Sequence, residues 1–560
     1  MKYIYYPQQM HIHSVYEHRG SMEGHIYYAA LYGMRHIWFT EHDTLRSNRK
    51  RWLLDVNFEE GSLAPVDEIG ERRGFVQVSD SNSGYAKICD TDAASGKYSM
   101  LLHAENESDG WDGCAVSLSG DGRRQFATLL NGLTLSLFYK TKNYDLEKTR
   151  LIIELLLSER PPEAVKGRIK FALGDTAGLD APHDIILPLE EGVEWTKKVM
   201  PLTEITTTDE GMKRVFGTDN VLENVTIRLE ARRGGSIDAL IDDYKMEFER
   251  GSAETYEEQK RVAAEIGKKY GVTPFVTSEV STGGIHKNCY STNCPVIIYD
   301  GSVPKMSHEE SCALMNNLDM PFSINHPFVR VRDSELTNEE YDALTNEIAD
   351  EMTENLASGA TLLEVGFPYG RYAPLKNHLD LWDILSLRGI ILTGYGATDS
   401  HSMHEGWKQG VNNHATYFGV AEGATAGEEA FREAMRMGNG YSANPITFKG
   451  EVVFETESGD PMGSIIIAPE CKEVKTRFAV TNARKEWRLR LIHNGSQILE
   501  KPLADGDFMH EFEIMHQSEI DFIRVEVYDE NNILLIMTNP IYYVKSRDAV
   551  KNTAKRRIKD

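Results

Sequence analysis

The 560-residue chain has few cysteines, no long apolar run and a deficit of basic residues. Its six cysteines include no CxxC pair, so neither a disulfide framework nor a zinc knuckle is indicated. No apolar stretch approaches the ~20 residues of a spanning helix, and residues 1–7 are too short and polar for a signal peptide. We therefore expect no membrane partner and a cytoplasmic location.

The charge balance excludes one large class of partner. Asp and Glu outnumber Lys and Arg by 86 to 61, which gives a formal net charge of −25. Such a surface repels phosphate backbones and anionic lipid, so we expect no nucleic-acid partner. Hydrophobic residues make up 41% of the chain, a fraction typical of globular proteins with substantial cores.

Hydrophobic periodicity divides the chain into segments. Strand–helix–strand signals stop near residue 60 and resume near residue 254, whereas the stretch between them has short strands broken by polar turns. The predicted segments are 1–60 (the first part of an α/β domain), 61–252 (an inserted β-sandwich), 253–445 (the second part of the α/β domain), 446–545 (a C-terminal all-β domain) and 546–560 (a basic, disordered tail).

Histidines and carboxylates gather at the ends of predicted strands. His11 and His13 lie two residues apart on a strand, so they share one face and both imidazoles can bind one metal ion. Imidazole and carboxylate ligands at several strand ends of one α/β domain are what a multinuclear metal centre requires. Further candidate ligands are His42 and His326 after apolar runs, Glu279 after the predicted strand 274–277, His286 in a Gly-rich turn, and Asp399 and His401, which repeat the spacing of two residues.

Five motifs carry a family resemblance: HIHS at 11–14, FTEHD at 39–43, SEVS at 278–281, NHP at 325–327 and TDSH at 398–401. By these motifs and their order the chain resembles the PHP (polymerase and histidinol phosphatase) metal-dependent hydrolases. Its trailing β-domain resembles that of the carbaryl-hydrolase-type subgroup. The resemblance implies a distorted (β/α)7, TIM-like barrel that carries two or three divalent ions, Zn, Mn or Fe, at the C-terminal strand ends.

The resemblance also implies which residues hold each ion. One ion would be held by His11, His13, Glu279 and Asp399. Glu279 would bridge to a second ion, held with His326 and His286, and a third site would come from His18, His42 and His401. The loop at 16–19 departs from the family pattern, so Glu17 and His18 both remain candidates. The catalytic roles would fall to His18, Glu279 and Asp399.

The predicted function is a phosphoesterase that hydrolyses a small organic phosphate through a metal-activated hydroxide. His18 or a bound water would protonate the leaving group. The residues that could grip the phosphate are Arg46, Arg49, Arg371 and Lys408. Two alternatives stay open: a carboxylester or carbamate hydrolase on the same scaffold, and a non-catalytic sugar- or metal-binding protein.

The inserted sandwich suggests a further partner. Its last strand, near residues 241–249, resembles that of carbohydrate-binding jelly rolls, so carbohydrate is a candidate ligand. A sandwich that shapes the rim of the active site, or that joins copies of the chain in a homo-oligomer, fits the sequence equally well. Trp111 or Trp195 would have to be exposed to stack on a sugar ring.

Overall fold

We describe a computed structural model of the chain. The described residues are 2–16, 20–42, 54–66, 74–79, 81–118, 128–130, 132–161, 165–208, 220–248, 252–281, 285–294, 306–331, 336–366, 372–401, 406–407, 414–469 and 471–559. Strands hold 45% of the residues and helices 21%, so the protein is mostly β. Among the described helices, none has the length and apolar character needed to cross a membrane.

The chain opens with a strand, a helix and a second strand. These are β1 (Tyr3–Ile12), α1 (Met22–Leu31) and β2 (His36–His42), and β1 pairs in parallel with β2. The Ser21 hydroxyl accepts a hydrogen bond from the backbone N–H of Gly24 and caps α1. The second half of β1 and nearly all of β2 are buried, as expected for strands covered on both faces.

The next thirteen strands form two sheets around one hydrophobic core. They are β3 (Leu54–Val56), β4 (Phe75–Gln77), β5 (Gly84–Cys89), β6 (Ser99–Asn106), β7 (Asp112–Leu118), β8 (Thr128–Leu129), β9 (Leu133–Lys142), β10 (Thr149–Arg160), β11 (Val165–Gly174), β12 (Asp184–Pro188), β13 (Thr196–Pro201), β14 (Val221–Ala231) and β15 (Gly235–Phe248), with helix α2 (Leu202–Thr206) before β14. One sheet has the order β12-β11-β10-β14-β7-β4, and the other has the order β13-β9-β15-β6-β5. Alternating residues such as Leu135, Leu137, Ile227 and Leu229 fill the core between them.

Alternation of helices and strands then resumes. The elements are α3 (Ser252–Tyr270), β16 (Thr273–Val280), β17 (Lys287–Asn288), α4 (His308–Asn317), β18 (Ser323–Ile324), α5 (Asn338–Glu354), β19 (Leu362–Gly366), α6 (Leu375–Leu387), β20 (Thr393–Gly396), β21 (Ala415–Ala421), α7 (Glu428–Met437) and β22 (Gly440–Ala443). The predicted start of the fifth helix is confirmed, because Thr337 and Glu340 form a capping box there.

The remaining strands are antiparallel for the most part. They are β23 (Val452–Thr456), β24 (Ile465–Ile467), β25 (Lys472–Ala483), β26 (Arg488–His493), β27 (Ser496–Pro502), β28 (Gly506–His516), β29 (Ile520–Tyr528), β30 (Leu534–Thr538), β31 (Ile541–Val544) and β32 (Ile558–Lys559). The basic tail is not the disordered segment that we expected. Its last strand pairs in parallel with β24, and Val550 and Arg557 are buried. Ala549, Val550, Ala554 and Ile558 pack in one cluster with Ile465 and Tyr542, and Arg557 donates to the backbone carbonyl of Arg436.

The predicted (β/α)7, TIM-like barrel is wrong. Of the described strands, β1, β2 and β16 are parallel neighbours in one sheet, whereas β18, β19 and β20 form a separate parallel sheet. Within the described residues, the β-pairing between the two groups consists of isolated bridges, at Ile12 with Ser400 and at Cys289 with Phe322. The sheet that holds β1 continues through antiparallel β21 and β22 into β30 and β29.

One hydrophobic core accordingly joins the first and last parts of the chain. It includes Ile26 and Phe39 near the N-terminus together with Ile536 and Tyr543 near the C-terminus. The sheet continues past residue 445, where the sequence predicts a domain boundary. The five segments themselves stay predictions.

Candidate metal centre

Three neighbouring parallel strands bring the first candidate ligands together. His11 is on β1, His42 ends β2 and Glu279 is on β16, and in the register Glu279 lies opposite His42. His13 follows β1 directly, and the distance between His11 Nε2 and His13 Nε2 is 3.2 Å. Both of these side chains are completely buried. The carboxyl ends of the strands therefore place the imidazoles as the sequence predicts.

Two carboxylates complete a compact group of four ligands. His11 Nε2 lies 3.4 Å from Glu279 Oε1 and 3.4 Å from Asp399 Oδ1. His13 Nε2 lies 3.0 Å from Asp399 Oδ1 and 3.6 Å from Glu279 Oε2. With ligand bonds of about 2.0–2.2 Å, the edges of a tetrahedral site are about 3.3–3.6 Å. The measured distances are close to these edges, so the four side chains could hold one divalent ion.

Glu279 also belongs to a second group of candidate ligands. His42 Nε2 lies 2.9 Å from Glu279 Oε2, and His286 Nδ1 lies 3.1 Å from Glu279 Oε1. Ligand atoms of His42, Glu279 and His286 all lie within 4.8 Å of one another. His326 Nε2 stands between the two groups, 3.4 Å from Glu279 Oε1 and 3.6 Å from Asp399 Oδ2. Glu279 is therefore placed to bridge two ions.

His401 lies beside this centre in a different arrangement. Nitrogen atoms of His13, His42 and His401 also lie within 4.8 Å of one another. However, the rings of His13 and His401 stack at 4.1 Å between centroids and 14° between planes. Stacked rings direct their in-plane lone pairs along separate planes, so this group fits an ion less well than the other two.

The charge of the cluster also fits a cation. Glu279 and Glu364 are completely buried, and no lysine or arginine within the described ranges forms an ion pair with either of them. A buried carboxylate without a cation is costly. The second oxygen of Glu279 meets no hydrogen-bond donor in acceptable geometry, although His42 is close to it. A shared metal ion would satisfy both groups.

The protonation of the ligands follows from these neighbours. Burial would by itself lower the pKa of His11, but the carboxylates of Glu279, Glu364 and Asp399 raise it well above its usual range. Burial would raise the pKa of Glu279, but the nearby imidazoles, led by that of His42, hold it well below its usual range. Burial lowers the pKa of His326 to about 4. Glu279 and His326 are therefore in the forms that bind metal ions at neutral pH.

Several supporting residues were not found from the sequence. Glu364 Oε1 accepts a hydrogen bond from His11 Nδ1 at 2.6 Å, and Asn325 Nδ2 donates to Glu279 Oε1 at 2.8 Å. The Tyr395 hydroxyl lies within hydrogen-bond distance of both Glu364 and Asn325. The one available signal was the lone carboxylate in the buried run LLEVG at 362–366.

The carboxylate of Glu41 accepts hydrogen bonds from Ser14 and Gln259. The backbone N–H and the hydroxyl of Ser14 both donate to its carboxylate, and so does the side-chain amide of Gln259. This carboxylate, which stands where the predicted family usually has an aspartate, therefore secures the loop after β1 to helix α3.

Two ligands occupy strained backbone conformations. The φ angle of His326 is 27° and that of Asp399 is 46°, in the left-handed region that non-glycine residues seldom adopt. Such strain persists where the surrounding structure holds a side chain in one direction, and it is typical of functional sites.

Some predicted site residues cannot be placed. Those that lie outside the described residues are Glu17, His18, Arg46, Arg49, Arg371 and Lys408. The predicted catalytic role of His18 and the predicted phosphate contacts of the four basic residues therefore stay predictions. The structure brings the described candidate ligands close together: His11, His13, His42, Glu279, His286, His326, Asp399 and His401.

Comparisons with known proteins identify no family. No family model matches the chain, and no curated protein matches it. The resemblance to the PHP hydrolases therefore stays a prediction.

Solved structures that match the chain include carbohydrate-binding modules. A module of the β-sandwich superfamily is 15% identical to this chain and has a TM-score of 0.22. The match covers 34% of this chain and 60% of the chain that contains the module. The family 11 module from Clostridium thermocellum is 12% identical over 36% of this chain and 97% of its own, with a TM-score of 0.20. The family 30 module from the same organism is 13% identical over 35% of this chain and 99% of its own, with a TM-score of 0.22. None of these is a barrel hydrolase, and likenesses this distant assign no function to the chain.

Proposed function

We propose that the protein is a metal-dependent hydrolase that cleaves an ester bond of a small organic substrate. The observation that supports this is the set of nitrogen–oxygen distances of 3.0–3.6 Å among His11, His13, Glu279 and Asp399, which match the ligand spacing of a divalent ion. We assign two ion positions, with the second held by His42, His286 and the shared carboxylate of Glu279. Divalent ions at such a site supply a Lewis acid and activate water for attack on an ester.

The chain's own residues supply the positioning. Glu364 fixes the His11 ring so that Nε2 faces the other ligands, and Asn325 holds one oxygen of Glu279. His42, His286 and His401 are the partly exposed members of the cluster, so they stand on the side from which substrate and water enter. His401 Nδ1 is held 3.1 Å from the backbone carbonyl of Asp399, which orients it for proton transfer.

An experiment can show whether the protein cleaves a phosphate ester or a carboxylic ester. Purified protein should contain about two divalent ions per chain by elemental analysis. It should also hydrolyse p-nitrophenyl phosphate, the predicted substrate type, or p-nitrophenyl acetate, the carbon-ester alternative. His11→Ala and Asp399→Ala should lose bound metal and turnover together. His103→Ala is the matched control, since His103 is also paired with a carboxylate, at 2.7 Å from Asp238, but lies in the sandwich. Full turnover with no bound metal would contradict the proposal.

A second candidate function is carbohydrate binding by the sandwich. Its support is a row of side chains across one sheet: the Tyr85 ring, 42% exposed, stacks on His103, and His103 pairs with Asp238, which accepts from Asn143. An aromatic ring beside polar groups is a suitable surface for a sugar ring. Trp111 is less suitable, because Arg150 and Arg232 lie over its ring at 4.1 and 4.3 Å.

The test of this second function is independent of the metal centre. Affinity electrophoresis in soluble glucans should show retardation of the protein, and Tyr85→Ala should abolish it while leaving metal content unchanged. Tyr144→Ala, at another partly exposed tyrosine of the sandwich, is the control. Equal mobility with and without glucan would remove the second candidate.

A further inference from the structure

A cavity of about 230 Å³ lies next to the candidate metal centre. Its walls share Asn325 and His326 with that centre. We name it the side cavity. Most of its remaining wall is apolar and comes from Ile285, Ile324, Val329, Ile348 and Met352. The space exceeds the roughly 150 Å³ that accommodates benzene in an engineered cavity, so a single ring or a branched alkyl group fits.

The wall next to the centre offers one hydrogen-bond donor. His326 Nε2 faces Glu279 and Asp399, and an imidazole that binds an ion through Nε2 carries its hydrogen on Nδ1. His326 is 1% exposed, and its Nδ1 has no hydrogen-bond partner among the described residues. A metal-binding histidine normally donates that hydrogen to a carboxylate, a carbonyl or water. His326 lines the side cavity, so this donor belongs to the wall between the cavity and the centre.

A second hydrogen-bond donor lies in another wall of the cavity, where hydrogen bonds run from Lys287 through His308 to Ser358. Lys287 Nζ lies 2.9 Å from His308 Nδ1, and an ammonium can only donate, so the His308 hydrogen is on Nε2. That nitrogen lies 3.0 Å from Ser358 Oγ and donates to it. Burial, followed by the charge of Lys287, lowers the pKa of His308, which keeps the ring neutral. The Ser358 hydroxyl then keeps its own hydrogen to donate to a ligand in the cavity.

From this geometry we infer that the side cavity receives the non-reacting part of the substrate, a compact, uncharged and largely apolar group that carries one hydrogen-bond acceptor. This inference rests on the proposed function, since it names the kind of substrate that the same centre acts on. An anionic group finds no unpaired cation in the described wall, because its two charged residues, Arg330 and Glu351, form an ion pair at 3.5 Å and most of the wall is apolar. A purely hydrocarbon group would leave both donors without a partner.

Binding of small probes tests the inference without any turnover. The probes are 4-fluorophenol, which has a ring and an oxygen acceptor, and fluorobenzene, which lacks the oxygen; both are followed by fluorine NMR. Ile348→Phe fills the cavity and should weaken 4-fluorophenol binding about tenfold or more. Ala343→Phe adds the same ring on an exposed turn of the same helix and should bind like the wild type. Ser358→Gly, which suits the positive φ of 51° at this position, should weaken 4-fluorophenol but not fluorobenzene.

The kinetic part uses whichever p-nitrophenyl ester the protein cleaves. Ile348→Phe should raise KM for that ester, whereas Ala343→Phe should leave KM as in the wild type. Equal 4-fluorophenol binding by the wild type, Ile348→Phe and Ala343→Phe would overturn the assignment of the cavity. Metal content measured on the same samples separates the two proposals, because a metal-free protein that still binds 4-fluorophenol contradicts the proposed function and not the cavity.

Discussion

His11 Nδ1 lies 2.6 Å from Glu364 Oε1, and both side chains are completely buried. The carboxylate accepts the Nδ1 hydrogen, and Nε2 faces His13, Glu279 and Asp399, where a divalent ion would replace the proton that these carboxylates keep on the ring. The second oxygen of Glu364 accepts the backbone N–H of His326. One carboxylate thus orients two candidate ligands from two different sheets, which makes it the strongest supporting element of the centre.

Replacing Glu364 with Gln should weaken metal binding without unfolding the protein. The amide keeps the size of the side chain but is a weaker acceptor for His11, so we expect affinity to fall by about 10- to 100-fold. Competition with a coloured chelator measures this. Asp238→Asn makes the same change beside His103 in the sandwich and should leave metal affinity as in the wild type. An unchanged affinity in Glu364→Gln would show that Glu364 does not orient His11.

The proximity of several candidate ligands could be expected from the sequence, because they lie at the ends of predicted strands. Parallel strands end at one edge, so His11, His42 and Glu279 had to come together once their strands paired. Asn325 and Tyr395 could not be found in this way, because their contacts join strands that are distant in sequence and carry no local pattern.

The sheet arrangement was predicted less well than the ligands. Periodicity shows that a segment is a strand, but it does not show which strand becomes its neighbour. The antiparallel pairing of β1 with β21 depends on residues more than 400 positions apart, such as Tyr3 and Ala421. Because of that pairing, the sheet that was expected to close a barrel continues instead into the C-terminal strands. The order of the tail was missed for the same reason, since its partner β24 lies some 90 residues upstream.

Removing metal should destabilise the folded protein. The buried carboxylates of Glu279 and Asp399 lose their cation when a chelator removes it, and ligand-linked stability at 100 times Kd is about 3 kcal/mol. EDTA should therefore lower the Tm of the wild type in differential scanning calorimetry. Asp399→Ala, which already lacks a ligand, should respond little to EDTA, and His103→Ala should respond like the wild type. A wild-type Tm that does not depend on EDTA would argue against a resident ion.

Stability should fall with acid through a histidine that is remote from the metal centre. His36 packs between Phe275 and Phe431, and burial lowers its pKa from 6.5 to about 4. The folded state therefore prefers the neutral ring. Its contribution to stability is complete above pH 6.5 and is lost as the pH falls toward 4, by about 3 kcal/mol.

His36→Phe tests this without adding a charge. The unfolding free energy of each protein is measured by urea denaturation at pH 7 and at pH 4. We expect the loss between the two pH values to be about 3 kcal/mol smaller for the variant than for the wild type. His414 has a pKa lowered to about 4 by burial as well, so the variant should keep part of the acid dependence. Parallel pH profiles for the two proteins would contradict the assignment to His36.

A buried ion pair should hold helix α6 against the C-terminal sheet. Arg524, on β29, donates to Asp383, on α6, and to Glu526, and the three side chains are at most 8% exposed. Burial raises the pKa of Asp383 to about 6 although Arg524 opposes this, so the pair is ionised at pH 8.

Asp383→Ala leaves the guanidinium with one carboxylate fewer and should cost about 3–5 kcal/mol of unfolding free energy in urea. Asp380→Ala removes a more exposed carboxylate of the same helix, paired with Lys376, and should cost about 1 kcal/mol or less. Equal losses in the two variants would mean that the buried pair contributes no more than a surface pair, and that apolar packing around Trp382 holds the helix in place.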